Sequence, residues 1–451
     1  MGKLFGTDGV RGIANRDLTP ELACALGKAG VLVLRKTTVG RKPIVVIGKD
    51  TRISGDMIEA GLSAGILSMG GEILRAGVMP TPAIAYLVRA MGADCGVVIS
   101  ASHNLFEYNG IKFFNGQGFK LDDAIEAEIE KIIRSGKDPA ASPIGAALGQ
   151  SLEKTEDTIR LYTDHLISGM KTDISGMKIV VDCAHGAAVR SAQIVFSSLG
   201  AETVFIGNTP NGYNINDGYG STHPEKLAEA VLREGADIGF AFDGDADRLI
   251  AADENGRILD GDILMYICAK QMKQEGKLAG NLLTATVMSN IGLKIALEQT
   301  GIQIQTTDVG DRYVLERMLA TGSVLGGEQS GHIIFLDDNT TGDGLFAALR
   351  LLSAIRSHGV RVSEAADGIR IYPQILKNAR VKNENKNRYM EDSEIRSAIE
   401  ATEKSMHGEG RVLIRSSGTE PLVRVMIEGS DQRFIDEAAG ELTALIERKL
   451  A

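Results

Sequence analysis

Asp243-Gly244-Asp245-Ala246-Asp247-Arg248 sets three carboxylates at every second position with small residues between them. Such a loop can turn tightly and converge three oxygens on one hard cation, and oxygen-only ligation favours Mg²⁺ over zinc or copper. The loop follows an apolar run, Ala236–Phe242, and a buried strand rarely ends in three acids without a counter-ion. A calcium EF-hand is the natural competitor, because Glu254 falls at the twelfth position counted from Asp243. It fails at the sixth position, where Arg248 replaces the required glycine. Its flanks, Ile238–Phe242 and Leu249–Ala252, read as the strands of a hairpin and not as two helices.

Two other segments carry groups able to handle phosphate. Ile99-Ser100-Ala101-Ser102-His103-Asn104 follows the strand-like Cys95–Ile99, and a hydroxyl at a strand-to-loop junction can act as a nucleophile. His103 adjoins Ser102, but neighbours in an extended segment point to opposite faces, so direct activation by His103 is not expected. Alone, the segment also reads as a Ser/Asn turn. Arg415-Ser416-Ser417-Gly418-Thr419-Glu420-Pro421, with Arg424 just beyond, gathers guanidinium, hydroxyl and exposed backbone N–H donors in a short stretch; the competing reading is a plain C-terminal turn.

The elements that must position these loops alternate. Pro43–Gly48 is a β-branched run followed by an amphipathic stretch from Gly55 to Met69. A second series starts near Met177–Asp182, passes a helical Val189–Leu199 and reaches Ala236–Phe242; a third starts near Leu282–Val287. That alternation predicts α/β layers, with polar loops (Ser100 to Asn104, Asp243 to Arg248, Gly326 to His332) just after apolar strands, where open α/β sheets bind ligands. The polar segment Lys377–Glu394 interrupts the pattern and predicts a smaller C-terminal domain ending in a helix from about Gln432 to Lys449.

At 451 residues, 43% hydrophobic and 24% charged, the chain can bury several cores. Its net charge of −10 and pI near 5.4 give no global attraction to nucleic acid or an anionic membrane, so an anionic substrate needs locally clustered Arg and Lys. The start, Met1-Gly2-Lys3-Leu4-Phe5-Gly6, lacks a charged region followed by an apolar one, and no later apolar run is long enough to span a bilayer. Cys24, Cys95, Cys183 and Cys268 show no C-x-x-C spacing and read as buried thiols of a cytoplasmic protein.

Ser100-Ala101-Ser102-His103-Asn104 with Tyr108-Asn109-Gly110-Ile111-Lys112 resembles the phosphoserine loop of the α-D-phosphohexomutase superfamily, and Asp243–Arg248 resembles its magnesium loop. The match continues in order through Phe5-Gly6-Thr7-Asp8-Gly9-Val10-Arg11-Gly12, Gly327-Glu328-Gln329-Ser330-Gly331-His332 and Arg415–Pro421. It is nearest to the phosphoglucosamine mutase branch, on the N-terminal run, the Gly-Glu-Gln-Ser-Gly-His loop and Gly220-Ser221-Thr222-His223. The chain departs from the family at Leu105, usually proline, and at Ser416, commonly proline or lysine; Leu105 is expected to alter loop stiffness without altering the chemistry.

The resemblance implies three similar α/β domains with mixed sheets plus a smaller α+β C-terminal domain, heart-shaped around a central cleft. The expected divisions are 1–150 with the phosphoserine loop, 151–255 with the metal loop, 256–372 with a sugar-recognition loop and 373–451 with a phosphate-binding loop, with an opening rotation about a polar connector near Lys377. It implies interconversion of glucosamine 6-phosphate and glucosamine 1-phosphate through a phosphorylated Ser102 and a bisphosphate intermediate. One Mg²⁺ would be held by Asp243, Asp245, Asp247 and Ser102. Arg11 and Arg248 would surround the phosphoserine, and Lys112 and His332 would share general acid and base roles. Glu328 and Ser330 would contact the sugar, Gln329 would favour an amino sugar, and Arg415, Ser417, Gly418, Thr419 and Arg424 would hold the second phosphate. The implied partner is a hexosamine phosphate, with no nucleic acid or membrane, and a homodimer fits the branch. Competing readings are a phosphoglucomutase or phosphomannomutase, a phosphatase using the Asp243 loop, and a non-catalytic sugar-phosphate sensor. Asn211-Gly212-Tyr213-Asn214-Ile215-Asn216 and Gly310-Asp311-Arg312-Tyr313 also match the branch but receive no chemical role beyond shaping the cleft.

Overall fold

The computed structural model describes residues 4–6, 8–38, 40–136, 143–417 and 420–451. Gly418 and Thr419, expected to bind phosphate, lie outside the described residues. The chain clusters into two compact units, residues 1–288 with 302–367, and residues 289–301 with 368–451.

The first unit carries three sheets. A six-stranded sheet runs in the order Val10–Ile13, Tyr108–Asn115, Cys95–Ile99, Ile44–Lys49, Glu72–Val78, Ser151–Glu153. Its first two pairings are antiparallel and the rest parallel, the mixed sheet that the resemblance implied. All five residues of Cys95–Ile99 are buried, which is why this strand reads as an unbroken apolar run. The helices Pro20–Leu34 and Gly55–Ser68 cover the sheet in close contact; a Cβ on Gly65 would lie 2.1 Å from the Cys24 carbonyl oxygen, so no larger residue fits there.

A five-stranded sheet follows in the order Ile258–Leu259, Leu249–Asp253, Ile238–Phe242, Lys178–Asp182, Glu202–Ile206. Phe242 stands opposite Leu249 in an antiparallel pair, so Asp243–Arg248 is the loop of a hairpin, as the EF-hand argument required. The four-stranded sheet is ordered Gln303–Thr307, Leu282–Thr286, Leu325–Gly327, Ile333–Phe335, and the loop from Glu328 to His332 joins its last two strands, with Gly327 opposite Ile333.

The second unit is built on a three-stranded antiparallel sheet, Gln374–Arg380, Leu422–Gly429, Gly410–Ser416, against the helices Ser393–Ser405 and Gln432–Leu450. It also claims the helix Ile291–Gln299, which in sequence falls between two strands of the four-stranded sheet. The Asn290 side chain secures that helix, donating from Nδ2 to the Tyr372 carbonyl at 2.9 Å and accepting the Tyr372 N–H at 3.0 Å. Near Lys377 the expected polar connector is instead a paired strand, with Lys377 opposite Val425. Its polar residues misled because this strand has one solvated face.

Among the described residues no helix is long and apolar enough to cross a membrane. Cys95, Cys183 and Cys268 are buried as expected, and burial pushes their thiols up; Cys24 is only half-buried.

One buried contact ties the helix Thr155–Gly169 to the start of the helix Gly344–His358. Tyr162 donates its hydroxyl to Asp343, 3.0 Å from both carboxylate oxygens, and Asp343 caps the second helix by accepting the Phe346 N–H at 3.0 Å. Burial pushes the Asp343 carboxyl up to about 6, against the pull of its hydrogen-bond donors. Tyr162→Phe removes one of those donors and is expected to cost about 1.5–3 kcal/mol. The loss should appear as a lower urea midpoint at unchanged slope; an unchanged midpoint would mean the contact carries no stability.

Candidate active site

Ser102 sits at the first turn after the buried strand Cys95–Ile99. Ser100 fixes the turn, donating its Oγ to Asp50 Oδ2 at 2.7 Å and accepting the Ser102 N–H at 3.0 Å. Ser102 has φ of 51, a left-handed conformation that costs an L-residue about 1–2 kcal/mol. The turn aims its Oγ at the carboxylate loop, where it donates to Asp243 Oδ2 at 2.7 Å. It also corrects the extended geometry assumed from sequence: His103 Nδ1 lies 3.3 Å from Ser102 Oγ, because the left-handed residue rotates the two side chains towards each other. Burial, then Arg248 and Arg11, lower the His103 pKa.

Asp243, Asp245 and Asp247 are all buried, and each offers an oxygen within 4.8 Å of the others. Asp243 Oδ1 accepts the Arg248 N–H at 3.2 Å, and Asp245 Oδ2 accepts from Thr81 Oγ1 at 2.7 Å and Lys112 Nζ at 2.9 Å. Asp245 Oδ1 and Asp247 Oδ1 are buried without a hydrogen-bond partner. Buried carboxylate oxygens left bare are costly unless a cation meets them, so this all-oxygen set fits a hard divalent ion. Burial, followed by repulsion from Asp247 and Asp245, raises the Asp243 pKa well above the usual carboxylate range. The hairpin turn leaves no room to spare, since a Cβ on Gly244 would lie 2.6 Å from the Ser102 carbonyl oxygen.

A closed circuit of alternating charge surrounds the loop. Lys112 Nζ lies 2.9 Å from Asp245 and 3.0 Å from Asp8. Asp8 meets Lys120 at 2.8 Å, and Lys120 meets Asp311 at 2.6 Å. Asp311 stands 3.6 Å from His332 Nε2, His332 Nδ1 stands 3.6 Å from Asp247, and Asp247 returns to Lys112 at 3.9 Å. Arg11 pairs with Asp8. Burial disfavours the Lys112 ammonium, but Asp245, Asp8 and Asp247 outweigh it and raise its pKa, so Lys112 is held protonated. The same contest, with burial opposed by Asp247, Asp311 and Glu328, leaves His332 raised to about 8. In its neutral form His332 can instead accept the Gly342 N–H at Nε2, 3.0 Å away.

Ser102, Arg11, Asp247, Arg248, Glu328 and His332 line one cavity of about 750 Å³, large enough for a sugar phosphate. Glu328 Oε1 accepts the Gly310 N–H at 3.1 Å, and the buried Ser330 Oγ has no hydrogen-bond partner. Gln329, expected to favour an amino sugar, is tied to the neighbouring helix: its Nε2 donates to Asp260 Oδ2 at 3.1 Å and its backbone carbonyl accepts the Gly261 N–H at 2.9 Å. It anchors the loop to the start of the helix Gly261–Gln274.

The phosphate-binding candidates of the second unit sit on adjacent strands. Arg415 and Arg424 are directly opposed, on one face of the antiparallel pair. Like charges so placed repel, which an anion relieves. Ser417 is buried, and its Oγ accepts the Glu420 N–H at 3.2 Å.

Sequence reasoning passed over Asp8, Lys120 and Asp311, whose partners are remote in sequence, and the buried Arg52 and Asn216 beneath the serine loop. Asp8, Asp311 and Asn216 lie inside quoted motifs, which was the signal available.

Comparison with known proteins now bears on this geometry. The phosphoglucomutase/phosphomannomutase alpha/beta/alpha domains I, II and III match residues 2–140, 160–256 and 260–372, and the C-terminal domain of that family matches residues 376–445. Proteins named phosphoglucosamine mutase from Thermoanaerobacter sp. (strain X514) and Clostridioides difficile (strain 630) are 57% identical over 450 residues and 55% identical over 451, covering 100% of both chains in each case. A phosphoglucomutase/phosphomannomutase family protein from Burkholderia thailandensis superposes with a TM-score of 0.81 at 23% identity, over 99% of this chain and 97% of that one. N-acetylphosphoglucosamine mutase from Aspergillus fumigatus, solved with GlcNAc-6P and magnesium, gives a TM-score of 0.71 at 16% identity, over 99% and 96%. With four domain types matched in order and full-length relatives above half identity, the chain belongs to the phosphoglucomutase/phosphomannomutase family, the phosphohexomutases.

Proposed function

We propose that this phosphohexomutase interconverts glucosamine 6-phosphate and glucosamine 1-phosphate, with Ser102 as the phosphoryl carrier. The observation that carries the reading is the 2.7 Å hydrogen bond from Ser102 Oγ to Asp243 Oδ2, which sets a hydroxyl nucleophile against a three-carboxylate loop inside a sugar-sized cavity. The full-length relatives named phosphoglucosamine mutase support the choice of sugar.

In the first half-reaction the free hydroxyl of the substrate attacks the phosphorus on Ser102. The bond from phosphorus to Ser102 Oγ breaks as the bond to the sugar oxygen forms, and Ser102 Oγ takes up a proton. The bisphosphate turns round, Ser102 Oγ gives up its proton and attacks the phosphorus of the other phosphate, the bond from that phosphorus to the sugar oxygen breaks, and the sugar oxygen takes up a proton as the second monophosphate leaves. Lys112 and His332 share the general acid and base roles at the attacking and leaving oxygens, with Lys112 held protonated by Asp245, Asp8 and Asp247 against its burial. Arg11 and Arg248 hold phosphate oxygens at the serine. Glu328 and Ser330 contact ring hydroxyls, and Arg415, Ser417, Gly418, Thr419 and Arg424 hold the phosphate that is not reacting.

One Mg²⁺ per subunit would be held by Asp243, Asp245, Asp247 and a phosphate oxygen on Ser102. When bound, it neutralises charge on the transferring group and makes Ser102 Oγ a better leaving group. The four-domain division at residues 150, 255 and 372, a cytoplasmic location and a homodimer complete the proposal.

Peptide mass spectrometry should find phosphate on Ser102, lost and regained as glucosamine 6-phosphate becomes glucosamine 1-phosphate. Ser102→Ala should lower kcat on the order of 10⁴-fold or more. Turnover of glucose or mannose phosphates in place of glucosamine phosphate would move the substrate assignment, and phosphate release without sugar isomer would make the enzyme a phosphatase.

Asp243→Asn tests the carboxylate loop. Because the folded-state pKa of Asp243 is raised, its ionised form weakens the metal-free fold as pH rises through that value. The neutral amide should therefore raise the metal-free melting temperature at pH 7–8 while abolishing the rise that Mg²⁺ gives the unsubstituted protein. An unaltered Mg²⁺ response would remove Asp243 from the ligand set.

A further inference from the structure

The serine loop is gripped from below by two side chains that do not line the cavity. Arg52 is fully buried; its Nη2 donates to the carbonyl oxygens of Ser102 at 3.0 Å and Asn104 at 2.8 Å. Its Nη1 donates to the carbonyls of Tyr108, at 3.0 Å, and Leu105, and its Nε meets Asp50 Oδ2 at 2.8 Å. Asn216 reaches the same two carbonyls from the five-stranded sheet's side: its Nδ2 donates to Ser102 O at 2.8 Å and Asn104 O at 3.0 Å. Asn216 is itself held in place, with φ of 61 and its N–H bonded to the Ala184 carbonyl at 2.9 Å.

Each of these two carbonyls thus accepts two donors, which exhausts its lone pairs. Rotation of the Ser102–Asn104 segment would break four hydrogen bonds together, two of them buried and two part-buried, and each orphaned buried group is costly. Arg52 follows the strand Ile44–Lys49 of the serine's own sheet, whereas Asn216 follows Glu202–Ile206 of the sheet whose hairpin carries the three carboxylates. A single pair of carbonyls is therefore referenced to both halves of the reacting centre.

We infer that Arg52 and Asn216 are positioning residues for phosphoryl transfer: together they fix the Ser102 backbone, and so the phosphate on its Oγ, relative to the carboxylate loop. The inference rests on the reading of Ser102 as phosphoryl carrier and gives a task to the Asn211–Asn216 motif. Loss of the clamp should spare substrate binding and slow the transfer, because the substrate touches neither residue.

The test charges the full-length protein on Ser102 with radiolabelled glucose 1,6-bisphosphate, then follows label passing to a sugar monophosphate against label lost to water. Asn216→Ala, folded and with KM within about twofold, should transfer label about 10–100-fold more slowly than the unsubstituted protein. Hydrolysis of the phosphoserine should not slow in parallel, so a larger share of label should end as inorganic phosphate. Asn216→Ser keeps a single donor and Arg52→Lys keeps a cationic donor without the guanidinium fork, and each should give an intermediate rate; they carry the test if the alanine variant does not fold. Transfer at the unsubstituted rate in any folded variant overturns the clamp, as does failure of all three to fold, which would make the contacts structural only. Unsubstituted protein that takes no label on Ser102 overturns the carrier reading itself.

Discussion

Three carboxylates buried at one hairpin tip repel one another, and the surrounding structure can be understood as the answer to that repulsion. Two unit charges 4 Å apart interact by about 4 kcal/mol at the effective dielectric near a protein surface, a large fraction of a domain's whole stability. Asp245 is met by Lys112 and Thr81, Asp247 by His332 and more distantly by Lys112 and Arg248, and Asp243 by a serine hydroxyl and a backbone N–H. Two oxygens, Asp245 Oδ1 and Asp247 Oδ1, still lack a hydrogen-bond donor. Such a site fits a hard divalent ion.

The folding pattern delivers these groups with few elements. Ser102 follows one central strand, the carboxylates sit in a tight hairpin, and Glu328 to His332 join two short antiparallel strands. Each loop leaves the end of a buried strand, so the reacting groups stand on rigid supports and their spacing is set by sheet register. The second unit presents its paired guanidinium groups from two adjacent strands in the same manner.

Much of this could be read in the sequence, and the gaps have physical causes. The strand Cys95–Ile99 and the hairpin around the Asp loop were recoverable because continuous burial and alternate-position acids leave local patterns. The approach of His103 to Ser102 was missed because a left-handed φ at a serine has no signature in residue type. The tie from Gln329 to Asp260 spans sixty-nine positions, and the pairing of Lys377 depends on a strand near the far end of the chain. The helix Ile291–Gln299 reads as part of its neighbouring strands' layer, yet its Asn290 cap bonds to Tyr372 and joins it to the second unit. Local pattern finds elements; partners distant in sequence decide what those elements hold.

The circuit from Asp245 through Lys112, Asp8, Lys120, Asp311, His332 and Asp247 also limits how such a chain can drift. With His332 protonated, Lys112, Asp8, Lys120, Asp311, His332 and Asp247 are each shared by two neighbours of opposite sign, while Asp245 meets Lys112 alone, so replacing a member of the ring strands a charge on both sides. Stepwise substitution must pass through a less stable intermediate, and viable routes change neighbouring positions together. Lineages that alter Lys120 should therefore carry compensating changes at Asp8 or Asp311, although those residues are far apart in the chain.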